Sequence, residues 1–197
     1  MEHCGLAVLE PAVRRTGELS GGQTYASVVL GELRDAGPIV LVPSAWAAAG
    51  AAEFGYLSPD GILVAHLVMA GFITFFTVTG WNAMASGALR AWRLVLVVGL
   101  GITLAGVAGF LVSNYQEPLR AVSLIGWMIL PAVGLMYTGR ELDAAPLVYF
   151  GGGALSLAGA GAFVMSLGSL GEIAAAVGIA LVGIGQTVGI VDASQRD

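Results

Sequence analysis

Hydrophobic and polar positions along the chain fall into long apolar runs separated by short polar turns. The clearest run covers residues 61–89 and contains no Asp, Glu, Lys or Arg. A soluble helix needs an apolar stripe on one side only, whereas a bilayer-spanning helix needs about 20 consecutive apolar residues. The pattern at residues 61–89 therefore predicts a membrane-spanning helix.

Six runs of this kind predict an all-α polytopic integral membrane protein, with six transmembrane helices in a compact Gly/Ala-rich bundle. The predicted spans are residues 38–56, 61–81, 94–112, 121–138, 146–167 and 172–191. They form a transmembrane domain over residues 38–191. An N-terminal tail, 1–37, is predicted to be partly disordered or to form a short interfacial helix, and 192–197 form a C-terminal tail. A five-span alternative places the run around Pro43 at the membrane surface.

Composition agrees with the membrane prediction. Hydrophobic residues make up 57% of the chain and charged residues 11%, against about 25% charged in soluble domains. The 30 glycines favour close helix packing, since small residues let backbones approach each other in membranes. Short matches (GITLAG at 101–106, GIALVG at 178–183) and prolines in the first and fourth spans raise the hypothesis of a weak 3+3 inverted repeat.

Arginine placement predicts the orientation of the bundle. In the six-span arrangement one side carries only Arg120, and the other carries the remaining arginines: Arg14, Arg15, Arg34, Arg90, Arg93, Arg140 and Arg196. Positive residues concentrate on the cytoplasmic side of membrane proteins. The sequence therefore predicts a multi-pass protein of the plasma membrane with both termini in the cytoplasm.

Several function classes are excluded or disfavoured. The chain has no lysine, so it cannot form a Schiff base. The net charge of −5 disfavours nucleic acid as a partner, and the single cysteine, Cys4, disfavours a metal cluster. The motif LSGGQ, from Leu19 to Gln23, resembles the signature of ABC-type ATPases. A phosphate-binding loop with its lysine is missing, so no nucleotide is expected. No catalytic or metal-ligating set is predicted.

Glu53 and His66 are the candidate intramembrane polar site. Both are predicted to lie roughly 6 to 8 Å below the outer turn, at 1.5 Å per residue, on consecutive antiparallel helices. A carboxylate beside an imidazole can serve a proton or cation pathway, although a purely structural or solvated role is the alternative. Haem ligation by His66 is a further alternative. Met69 lies on the same helix face and could not take the opposite axial position, so no cofactor is predicted.

Three further polar side chains are candidates for hydrogen bonds between helices, namely Asn82, Gln186 and Thr187. The preferred functional hypothesis is a structural or accessory subunit of a membrane complex. The alternatives are a small proton, cation or solute transporter using Glu53 and His66, and a haem- or quinone-associated redox protein using His66. The expected partners are the lipid bilayer and a homodimer or larger membrane complex.

Overall fold

The computed structural model describes residues 25–195, with the side chains of residues 31, 36–168 and 171–195. All regular secondary structure in this range is helical, so the predicted all-α class is confirmed. The six long helices are α1 (Tyr25–Glu53), α2 (Pro59–Gly80), α3 (Leu89–Leu111), α4 (Gln116–Glu141), α5 (Pro146–Met165) and α6 (Gly171–Ser194). Short 3-10 turns at Ala83–Ala85 and Ser113–Tyr115, and a π-helical turn at Ser166–Leu170, connect them.

Five of these helices, α2 to α6, are long and apolar enough to cross a membrane, with mean hydropathies between 1.6 and 2.5. The first helix is not one of the five. It carries two prolines, Pro38 and Pro43, inside its length. Length and composition thus support five membrane-compatible helices, and the role of α1 as a sixth span stays a prediction.

The first helix begins at Tyr25, earlier than the span predicted to start at Pro38. Residues 25–37, predicted to belong to the N-terminal tail, are part of this same helix. A proline fixes φ near the helical value and removes one backbone donor, and α1 continues through both of its prolines. The predicted tail before Tyr25, including the LSGGQ motif, lies outside the described residues, as do residues 196–197.

Helix α4 lies in the middle of the bundle. It packs along α3 on one side and α5 on the other, and it also meets α6. Helix α2 packs chiefly on α3, whereas α1 packs chiefly on α6 and barely touches α2. In a 3+3 repeat the pair α1–α2 would correspond to the pair α4–α5. The first pair barely touches, whereas the second packs closely, so the two halves pack differently. The inverted repeat stays a prediction.

The closest packing joins α5 and α6. A Cβ atom built on Gly159 would lie 2.5 Å from the Gly178 carbonyl oxygen, and one on Gly152 would lie 2.6 Å from that of Gly185. The two contacts are seven residues apart on each helix, so both fall on one antiparallel seam. Only glycine permits such backbone contact.

An apolar core fills the space between α1, α4, α5 and α6. Two of its side chains, Met128 and Val182, are fully buried, and the other members are Trp46, Ala160, Phe163, Ala175 and Ile179. Trp46 is the buried member that α1 contributes to this core, and Val42 and Ala49 of the same helix pack against it.

Candidate functional site

His66 lies on α2, half-buried, and both of its ring nitrogens have partners. Nδ1 is 2.9 Å from the Ile62 carbonyl oxygen, and Nε2 is 3.3 Å from the Ser123 hydroxyl on α4. Since a carbonyl oxygen can only accept, Nδ1 must carry the proton. In the neutral ring Nε2 is then an acceptor, and the Ser123 hydroxyl donates to it. The contact thus links α2 to α4.

A glycine on α3 makes room for this contact. A Cβ atom on Gly106 would lie 2.5 Å from His66 Nε2 and 2.7 Å from Ser123 Oγ. The ring of Phe110, one turn further along α3, stands edge-on to the imidazole with the centroids 5.7 Å apart. Three helices therefore meet at His66, and a larger residue at position 106 would separate them.

Arg120 completes this region one turn before Ser123. Its guanidinium carbon lies 5.3 Å from the centre of the Phe110 ring, and its Nε donates to the Gln116 carbonyl oxygen at 3.3 Å. Of the side chains that the structure describes, Arg120 is the one arginine at this end of the bundle. Four exposed acids lie at the same end, namely Glu53, Asp60, Glu117 and Glu172.

Gln186 on α6 is the second polar centre. Its Oε1 accepts from Trp46 Nε1 of α1 at 2.9 Å. Its Nε2 donates to the carbonyl oxygens of Trp127 and Met128 on α4, at 3.0 and 3.5 Å. With 3% of its surface exposed, this amide bonds to two other helices from inside the bundle.

Two tryptophan–threonine pairs hold α3 against α4. Trp127 Nε1 donates to Thr103 Oγ1 at 2.9 Å, and Trp92 Nε1 donates to Thr138 Oγ1 at 3.0 Å. Each threonine hydroxyl in turn donates to the carbonyl four residues earlier in its own helix, at 2.9 Å. Together with Trp46, three of the four tryptophans thus give their N–H to a side-chain oxygen on another helix.

Glu53 and His66 share no hydrogen bond or ion pair among the described residues. Glu53 is exposed at the end of α1, and the His66 nitrogens bond to Ile62 and Ser123 instead. Helix α1 packs chiefly against α6 and only slightly against α2, and the paired polar site stays a prediction.

The three predicted interhelical residues have different surroundings. Gln186 bonds to α1 and α4, as described above. Thr187 is half-buried and lines an open groove between α1 and α6. Asn82 is exposed in the turn that follows α2, and its side chain does not cap the short helix Ala83–Ala85.

Among the described residues, no group of three or more His, Cys, Asp or Glu side chains is placed to hold a metal ion. An iron bound by His66 Nε2 would have to displace Ser123.

No family model, curated protein or solved structure matches this chain. The function is therefore inferred from the residues and their contacts.

The sequence reasoning missed Ser123, Trp46 and Trp127 as polar partners. The available signal was the position of Trp46 and Trp127 well inside apolar runs instead of at their ends. A buried indole N–H needs an acceptor, so a tryptophan in the middle of a span indicates a polar side chain on a neighbouring helix.

Proposed function

We propose that this chain is a multi-pass membrane protein that serves as a structural or accessory subunit of a membrane complex. One observation carries the proposal. The five buried polar side chains of the described range each form a hydrogen bond within the bundle. They are Thr103, Ser123, Thr138, Ser156 and Gln186. Four of the five bond to another helix, and Ser156 bonds to a carbonyl of its own helix. Polar groups that bond between helices hold those helices together.

The surface supports the same role. One open groove between α3 and α4 is lined by Ile102, Gly126 and other apolar residues, and a second between α1 and α6 is apolar except for Thr187. Many large apolar side chains are exposed along the helices, for example Val78, Leu94 and Leu147. Lipid tails or apolar helices of a partner suit such surfaces.

We further propose that α1 is a sixth span. Trp46 packs against Gly183 of α6, and Gly50 packs against Ile179. These contacts run antiparallel along a helix that is itself membrane-compatible. The placement of α1 beside the apolar length of α6 supports the six-helix arrangement over an α1 lying on the membrane surface.

The proposed orientation has the arginine-rich end and both termini in the cytoplasm. Cys4 is the one cysteine of the chain and provides a direct test. A membrane-impermeant maleimide should label Cys4 only after the membranes are opened. Labelling of Cys4 in intact cells would indicate the opposite orientation, or an α1 that does not cross the membrane.

Gentle extraction from native membranes tests the accessory role. The expected result is a complex in which this chain and defined partner proteins occur in a fixed ratio. Recovery as a lone monomer would contradict the proposal.

In proteoliposomes containing the purified chain, we expect no proton or cation flux, whereas a flux lost in His66→Phe would favour a transporter. A visible absorption band lost in the same variant would favour a haem protein.

A further inference from the structure

The turn between α2 and α3 forms a basic corner, defined here as residues 81–93. Its charged side chains are Arg90 and Arg93, and no acidic residue occurs in the chain between Asp60 and Glu117. The neighbouring end of α4 contributes Arg140 and Glu141, both exposed. Within the described residues, neither arginine of the basic corner forms an ion pair. Asp143, in the loop after α4, is a further exposed acid at this end of the bundle.

Side-chain packing fixes the shape of the basic corner. The Arg93 guanidinium carbon lies 3.3 Å from the centre of the Trp81 ring, a close cation–π contact. Met84 is buried below the turn, with its Cε atom 3.2 Å from where a Cβ on Gly80 would lie. Trp81 is 41% exposed. The corner thus presents an aromatic ring and a guanidinium group together at the surface.

The basic corner joins two apolar surfaces. Val78 of α2 is 71% exposed and lies three residues before Trp81, and Leu94 of α3 is 63% exposed and directly follows Arg93. Arg93 lies four residues after the start of α3, about 6 Å along its axis. A ligand of this surface must therefore combine a negatively charged group with apolar chains.

We propose that the basic corner binds the headgroup of an anionic phospholipid. Guanidinium groups bind phosphate through paired hydrogen bonds, and tryptophan favours the boundary between headgroups and acyl chains. Arg90 and Arg93 bind the phosphate and the negative headgroup, while Val78 and Leu94 contact the acyl chains. This inference does not depend on the accessory role, because lipid binding at this corner is a property of the chain itself.

The test measures the apparent Kd of short-chain phosphatidylglycerol for the purified protein in a non-ionic detergent, with phosphatidylcholine as the zwitterionic comparison. Each arginine near a membrane surface contributes a factor of roughly five in binding anionic lipid. We expect Arg90→Gln and Arg93→Gln to weaken phosphatidylglycerol binding by about fivefold each. The double variant should approach phosphatidylcholine affinity. Arg120→Gln, which removes the same charge at the opposite end, should bind like the unaltered protein.

A second variant separates charge from hydrogen-bond geometry. Arg90→Lys with Arg93→Lys keeps both positive charges but loses the paired hydrogen bonds, so its affinity for phosphatidylglycerol should lie between that of the unaltered protein and that of Arg90→Gln with Arg93→Gln. Equal weakening by Arg120→Gln, or unchanged affinity in Arg90→Gln with Arg93→Gln, would overturn the proposal. Effective competition by glycerol 3-phosphate at the same concentration would also overturn it, because the site would then bind a free phosphate ester and not a lipid.

Discussion

The α5–α6 interface and the surroundings of α2 show two different ways of packing helices. Within an apolar stretch of 18 residues, 39% of the residues are buried inside the bundle in α5 and in α6, against 6% in α2. The first interface uses glycine on glycine, with backbones in direct contact at Gly152–Gly185 and Gly159–Gly178. The second depends on individual side chains such as His66. Backbone contact tolerates no added atoms, whereas side-chain contact can be lost one hydrogen bond at a time.

Breaking the backbone contact should have the largest effect. We expect Gly159→Val to lower the free energy of unfolding by about 3 kcal/mol, because the new side chain would collide with the backbone of α6. Urea or SDS titration of the detergent-solubilised protein measures the change. Gly161→Val is the matched control, since a Cβ at Gly161 meets nothing within 4 Å. Equal loss in both variants would contradict the glycine seam.

Removing the Gln186 amide should have the next largest effect. Gln186→Leu fills a similar volume but leaves Trp46 Nε1 without its acceptor, so we expect a loss of about 1 to 2 kcal/mol. The same titration applies, with Trp fluorescence as the signal. Thr187→Val, one residue further along α6, should change stability by less than about 0.5 kcal/mol. A larger effect of Thr187→Val would place the important polar contact in the α1–α6 groove.

The His66–Ser123 contact should contribute less, because it is a single long hydrogen bond. We expect Ser123→Ala to cost about 0.6 kcal/mol, the average for hydrogen bonds between membrane helices. Thr77→Val on α2 is the comparison, since Thr77 bonds only to the Ile73 carbonyl of its own helix. A cost for Ser123→Ala above that of Gln186→Leu would make the three-helix junction at His66 the principal polar contact.

Glu53 should have the smallest effect. Because Glu53 is exposed and does not bond to His66, Glu53→Gln should leave the thermal midpoint unchanged. A double-mutant cycle with His66→Phe should give no coupling between the two positions. Measurable coupling would support the Glu53–His66 site predicted from the sequence.

The contrast also explains how much the sequence could predict. Hydropathy located the helices because the apolar length of a span depends only on consecutive residues. Gln186 stood out because an amide inside an apolar run needs partners. Depth along the membrane normal, which linked Glu53 to His66, says nothing about which helices are neighbours or how each is rotated about its axis. These depend on packing contacts such as Gly183 beneath Trp46 and Gly106 beside His66.

The hydrogen bond between Trp46 and Gln186 has a consequence for biosynthesis. Its two ends are 140 residues apart in the chain, so α1 emerges from the ribosome long before α6 exists. During that interval the indole N–H of Trp46 has no acceptor on α6 and faces lipid or an insertion factor. We therefore expect α1 to pack against α6 only after α6 has been inserted, which makes the attachment of α1 a late step in assembly of the bundle.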